Sequence, residues 1–310
     1  MTDAPNAAPN SAPNSASARD ARYHLHPYTD PAAHERQGAH VIARGEGIRV
    51  WDEAGNAYIE GMAGLWCTSL GFSESRLAEA AKRQLDALPY YHAFAGRAAP
   101  PTIDLAEKLV TLAPEPLSRV FFTSSGSEAN DTAVKMIWYI NNLRGKTEKK
   151  KVIARHGAYH GITLAATSLT GLPYVHQYFD APIMDRFLHT TRPHFYREGR
   201  PGETERAFSE RCAAELDALI EQEGPDTVAA FFAEPVMGAG GVITPPEGYF
   251  EAVQKVLAKH DVMMVADEVI CGFGRTGAMF GAEAYGIRPD IMTVAKGLSS
   301  GYQPIGAMLC

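Results

Sequence analysis

The chain has 310 residues, 45% of them hydrophobic, and a formal net charge of −7 from 29 basic against 36 acidic side chains. That acid excess argues against nucleic acid as a partner; no apolar run reaches the roughly 18 residues of a membrane span, and no signal-peptide pattern opens the chain. Cys67, Cys212, Cys271 and Cys310 lack metal or redox spacing, so the sequence reads as a cytoplasmic protein whose cysteines stay reduced.

Residues 1–22, with repeated Ala-Pro-Asn, are small, polar and proline-rich, and the expectation is a disordered tail. Residues 23–75 are expected to form part of a small α+β domain, and residues 76–310 a large domain. Segments 47–52 and 57–61 flank Glu53-Ala-Gly-Asn, a hairpin signal. Leu77, Ala80, Ala81, Leu85 and Leu88 predict a helix over 75–88, and Ile103, Leu105, Ala106, Leu109 and Val110 one over 102–112. From Arg119 onward the rhythm changes. Short apolar strands at 120–123, 151–154, 228–233, 262–266, 291–295 and 305–309 alternate with helices at 127–143, 204–223 and 249–259. That alternation predicts an α/β fold: βαβ units around a largely parallel sheet buried on both faces. The closing apolar run, 304–310, reads as a strand with nothing to cover it, and the expectation is a chain lacking a carboxyl-terminal domain.

In such sheets ligands bind at the carboxyl ends of the strands. Lys296 stands just behind the run 291–295, where burial would favour a neutral, nucleophilic amine. Asp267 closes the run 262–266; Glu268 beside it points to the opposite face by strand alternation. The loop Ser124-Ser-Gly-Ser leads into a helix whose unpaired N–H groups suit a phosphate, with Gly126 allowing close approach and Ser125 and Ser127 adding hydroxyls. Each signal has an ordinary reading alone: a surface lysine, an Asp267–Arg275 ion pair, a plain N-cap. Together they supply an amine, a carboxylate and an anion cup, the three groups that hold pyridoxal phosphate. Tyr159, between Gly157 and Gly161, is placed to lie flat on a ligand or to fill the core. His156 and His160 are four apart, but the two glycines argue against a helix and no third ligand is evident, so no metal is expected. Gly272-Phe-Gly-Arg-Thr-Gly277 formally matches a dinucleotide fingerprint but lacks the adjoining strand and crossover helix.

With these residues assembled, the chain resembles class III aminotransferases of the omega-amino-acid or amine:pyruvate type. The stretches carrying the resemblance are 121–133 (Phe-Phe-Thr-Ser-Ser-Gly-Ser-Glu-Ala-Asn-Asp-Thr-Ala), Ala158-Tyr-His-Gly, 232–242 around Glu234, 267–277 and Ala295-Lys-Gly-Leu. The resemblance implies a fold-type I large domain with a seven-stranded, mostly parallel sheet, working as a homodimer. It implies that Lys296 condenses with the cofactor aldehyde, Asp267 pairs with the pyridinium nitrogen, and Gly126 and Ser127, with Ser125 in the same cup, hold the phosphate. Tyr159 and Val269 would cover the two ring faces, with His160 and Glu234 counted among the cofactor-binding residues. Tyr28, Trp66 and Tyr159 would line the substrate pocket. The implied reaction is ping-pong transfer of an amino group from an amine, a diamine such as putrescine or an omega-amino acid to a keto acid such as pyruvate. Three other readings stay open: an aminomutase or decarboxylase with the same cofactor, a nicotinamide-dependent dehydrogenase using the Gly272 loop, and a non-catalytic fragment.

Overall fold

The computed structural model describes residues 14–183 and 185–310. Two compact units divide the described chain: residues up to 65 with 70–81, and residues 66–69 with 82–310.

In the smaller unit, helix Ala16–Tyr23 starts where Ser15 accepts a hydrogen bond from the Ala18 N–H at 3.2 Å. This corrects the expected disordered tail over its second half; residues 1–13 of that expectation lie outside the described residues. Helix Pro31–Gln37 follows, with Asp30 capping the Ala32 and Ala33 N–H groups and Pro31 in the first turn. Three antiparallel strands, β1 (Ile42–Glu46), β2 (Arg49–Asp52) and β3 (Ala57–Ile59), come next. The β2–β3 hairpin has the expected position, with Val50 opposite Tyr58. Its turn is pinned by Asp52, which accepts from the Asn56 N–H at 2.8 Å and the Tyr58 hydroxyl at 2.9 Å. β1 escaped the sequence reading because most of its residues are exposed and show no apolar alternation. Helix Ser75–Ala87 contains the division between the units.

The larger unit is built on seven strands: β4 (Val120–Thr123), β5 (Lys151–Arg155), β6 (Phe187–Thr190), β7 (Val228–Ala233), β8 (Met263–Asp267), β9 (Ile291–Val294) and β10 (Gly306–Leu309). Their order is β4-β10-β9-β8-β7-β5-β6. Five neighbours pair in parallel from β9 to β6, and β10 runs antiparallel to both β4 and β9. β7 is buried throughout and sends alternate residues to opposite faces. Phe231 packs with Leu216, Ile220 and Tyr249, from helices Glu205–Glu223 and Tyr249–Lys259. Phe232 packs with Ala133, Val134 and Ile137 of helix Gly126–Leu143. Each such phenylalanine contributes roughly 1.5–3 kcal/mol of burial. This two-sided cover is why the central strands read as unbroken apolar runs. β6 was missed because His189 and Thr190 interrupt its apolar pattern, and helix Leu164–Leu169 because six residues are too few for periodicity.

Candidate active site

The parallel strands and β4 deliver their carboxyl ends to one edge of the sheet. Past β4, helix Gly126–Leu143 opens with a reciprocal cap. Ser125 Oγ accepts from the Glu128 N–H at 3.2 Å, and the Glu128 carboxylate accepts from the Ser124 N–H at 2.7 Å. The Ser125 side chain is therefore committed to the helix start. Gly126 admits no side chain without a shift: a Cβ there would lie 2.9 Å from Val269 Cγ2 and 3.5 Å from Ala295 Cβ. Ser127 Oγ accepts from the Ile162 N–H at 3.1 Å, and Gly161 passes so close that a Cβ would sit 2.4 Å from that oxygen.

Asp267, the last residue of β8, is buried. Its Oδ2 accepts from Asn130 Nδ2 at 2.8 Å and lies 2.7 Å from His160 Nδ1; its Oδ1 accepts from the Val269 N–H at 3.1 Å. A carboxylate only accepts, so His160 carries a proton on Nδ1. Asn130 is itself held by the Thr293 hydroxyl at 2.9 Å and donates a second bond, of 2.7 Å, to the His160 carbonyl. Three of the roughly four lone-pair positions of the carboxylate are filled, which leaves one for a further donor. Asn130 and Thr293 were not singled out from the sequence. The signal was available: Asn130 interrupts the buried stripe Ala129, Ala133, Val134 and Ile137, and an amide on such a face needs partners.

Lys296 follows β9 in a short 3₁₀ turn and has φ 40°, a left-handed conformation uncommon outside glycine. Glu234 lies just past β7, buried, accepting from the Tyr159 N–H at 3.1 Å and the Gly238 N–H at 2.9 Å. Burial raises its pKa above the ordinary carboxyl value. Gly126, Ser127, Tyr159, His160, Glu234, Asp267, Val269 and Lys296 line a single cavity, together with Gly161, Ile270 and Ala295. The arrangement suits a flat ligand with an anionic tail at the helix start, a protonated nitrogen at Asp267 and a carbonyl facing Lys296.

Three other expected residues are outside the lining set. Trp66 and Ser125 are not among the cavity-lining residues, and Tyr28 belongs to the smaller unit. The alternative Asp267–Arg275 pair does not form: Arg275 donates to the Ile270 and Trp66 carbonyls. Glu268 turns away and accepts from the Gly281 and Ala282 N–H groups at 2.9 and 2.6 Å. Burial pushes its pKa up to about 7. His156 is exposed while His160 is buried on Asp267, so the pair shares no common ligand position. The Gly272–Gly277 segment is a series of turns followed only by the short helix Gly281–Ala284, which cannot serve as a dinucleotide crossover.

Residues 31–310 match the family model of class III aminotransferases. The chain belongs to that family. It is similar to the chloroplastic gamma-aminobutyrate transaminase 3 of Solanum lycopersicum, 57% identical over 270 residues, which are 87% of this chain and 52% of that protein. It is similar to the vanillin aminotransferase of Capsicum annuum, 54% identical over 87% of this chain and 59% of that one. Among solved structures, an omega transaminase from Pseudomonas jessenii in complex with PMP superposes with a TM-score of 0.94 at 56% identity, covering 95% of this chain and 65% of that one. The chain thus spans about half the length of the curated relatives it matches. In this class III chain, the expected seven-stranded α/β sheet is the one observed.

Proposed function

We propose that this chain carries the reaction centre of a pyridoxal-phosphate-dependent transaminase that takes an amino group from an amine or omega-amino acid and gives it to a keto acid such as pyruvate. The observation that carries the reading is the meeting of Lys296, Asp267 and the start of helix Gly126–Leu143 in one cavity. The name of one similar protein supports gamma-aminobutyrate as a donor, and that of another supports an aromatic carbonyl compound such as vanillin as a substrate.

When bound, pyridoxal phosphate supplies an aldehyde that captures amines and a ring that withdraws electrons from the adjoining carbon. The residues of the chain do the rest. The helix N-terminus with the Ser127 hydroxyl would hold the phosphate through N–H donors and the helix dipole. Gly126 lets the backbone come close enough to do so. Asp267, pinned by Asn130, His160 and the Val269 N–H, presents a fixed negative charge that keeps the ring nitrogen protonated. Tyr159 and Val269, which both line the cavity, would cover the two ring faces, and Glu234 orients the Tyr159 backbone. The Lys296 amine would hold the cofactor at rest and, once free, would serve as the general base that carries the proton of the donor carbon. Trp66 is proposed to border the donor pocket. We propose a homodimer as the working form, with the exposed aromatics Tyr90, Tyr91 and Phe94 suited to a subunit contact, and a cytoplasmic location.

Replacing Lys296 with alanine tests the assignment. The expected result is loss of the visible absorbance of lysine-bound cofactor together with amine-to-pyruvate exchange. Survival of either refutes the role of Lys296.

A further inference from the structure

We propose a second ligand site, in the smaller unit: a position for a transition-metal dication of the zinc class, formed by Asp20, His24, His26 and His34. Asp20 lies in helix Ala16–Tyr23, His24 and His26 follow its end, and His34 lies in helix Pro31–Gln37. Three imidazoles converge on the one carboxylate. His24 Nδ1 is 3.0 Å from Asp20 Oδ1, and His26 Nε2 and His34 Nε2 are 2.7 and 2.8 Å from Oδ2. The rings crowd together, with centroids 4.2 Å apart for His24 and His26 and 4.5 Å for His26 and His34.

The chemistry of the metal-free cluster prepares it for an ion. Each nitrogen facing the carboxylate donates a proton to it. Moving that proton to the other ring nitrogen, or losing it from a charged ring, leaves lone pairs directed at the Asp20 carboxylate, which would swing aside to share an ion with them. The ligating atoms of Asp20, His24 and His26 all lie within 4.8 Å of one another. Ligands at about 2.0–2.2 Å from a tetrahedral ion stand roughly 3.3–3.5 Å apart, so side-chain movement of about an ångström brings Asp20, His24 and His26 into range, and His34, 2.8 Å from Asp20 Oδ2 but outside that group, completes the shell by turning further. Imidazoles with one carboxylate select zinc, copper, nickel or cobalt over magnesium and calcium, which prefer all-oxygen shells. His24 is 62% exposed and gives the ion an entry route, while His34 at 13% forms the floor.

The comparable group Asp217, Glu221 and His260 does not qualify. Lys259 Nζ sits 2.9 Å from Asp217 and 3.3 Å from Glu221, and its ammonium already supplies the positive charge there. A cation on the Asp20 cluster would instead join two short helices that share few other contacts.

The test is titration of the full chain with Co²⁺, read by its visible d–d absorbance, with Zn²⁺ displacing it. The expected result is one equivalent bound per chain, with affinity about tenfold or more lower in H26Q and in H34Q and unchanged in H260Q. H24Q, at an exposed position outside both helices, guards against misfolding: its circular dichroism should match the parent while its Co²⁺ affinity falls. No binding by the parent chain, or equal binding by the parent, H24Q, H26Q and H34Q, overturns the site.

Discussion

Asn130→Ala would remove the least conspicuous part of the site. Asn130 is fully buried and makes three side-chain bonds, to the Asp267 carboxylate, the His160 carbonyl and the Thr293 hydroxyl. A bond to a charged partner contributes about 1.5–3 kcal/mol and each neutral one about 0.5–1.5 kcal/mol. Alanine also strands two buried polar groups, the His160 carbonyl and the Thr293 hydroxyl, while Asp267 Oδ2 keeps its His160 donor; alanine is the better helix former by less than about 0.7 kcal/mol. The net expectation is a loss of about 4 kcal/mol of unfolding free energy. Urea denaturation followed by circular dichroism measures it as a lower midpoint at unchanged slope. The same variant should bind pyridoxal phosphate more weakly, because Asp267 loses one of its three fixed donors. A loss below about 0.5 kcal/mol, the range of surface substitutions, would show that the network does not anchor Asp267.

Two further outcomes follow from the geometry. Gly126→Ala places a Cβ 2.9 Å from Val269 Cγ2, so absorbance titration with pyridoxal phosphate should show affinity about tenfold lower with the fold intact; unchanged affinity would mean that the cup tolerates a side chain. Glu268 ionises near 4.5 in its ordinary state and near 7 when buried here. Between those values the folded chain binds the extra proton, so stability falls as pH rises through the window, by up to about 3 kcal/mol. Glu268→Gln should flatten that fall, although its amide hydrogens oppose the Gly281 and Ala282 N–H groups and lower stability overall. Parallel stability profiles for the two proteins from pH 4.5 to 7 would remove Glu268 as the cause.

The sequence disclosed the centre of the site because its parts obey local rules. Asp267 and Lys296 each end an apolar run, and Ser125 to Glu128 spell a helix cap; such signals survive in one dimension. The supports did not show so clearly. Asn130 meets Asp267 across 137 residues and Thr293 meets Asn130 across 163, and no periodicity encodes such distances. The fold followed the same division. β7 and β8 read directly because both faces are covered, whereas β1 and β6 carry polar residues and were invisible. The helix at Ala16–Tyr23 lies in composition that speaks for disorder, yet Ser15 caps it and Asp20 gathers three histidines. Local chemistry outweighed average composition there. His24, His26 and His34 went unremarked because the spacing rules applied to His156 and His160 look for one helix face, and this cluster spans a bend.

Strand β10 carries a consequence for how the protein matures on the ribosome. β4, which launches the Ser125–Gly126 turn, has β10 as its sheet neighbour, with Thr123 opposite Gly306. Gly306 tucks beneath Ser125 so tightly that a Cβ would fall 2.4 Å from the Ser125 carbonyl oxygen. The turn is thus clamped by a segment synthesised long after it, and such distant pairing is slow to form. A nascent chain halted before Gly306 would hold Asp267, Lys296 and the Ser125–Gly126 turn and still leave β4 without a bed to lie in.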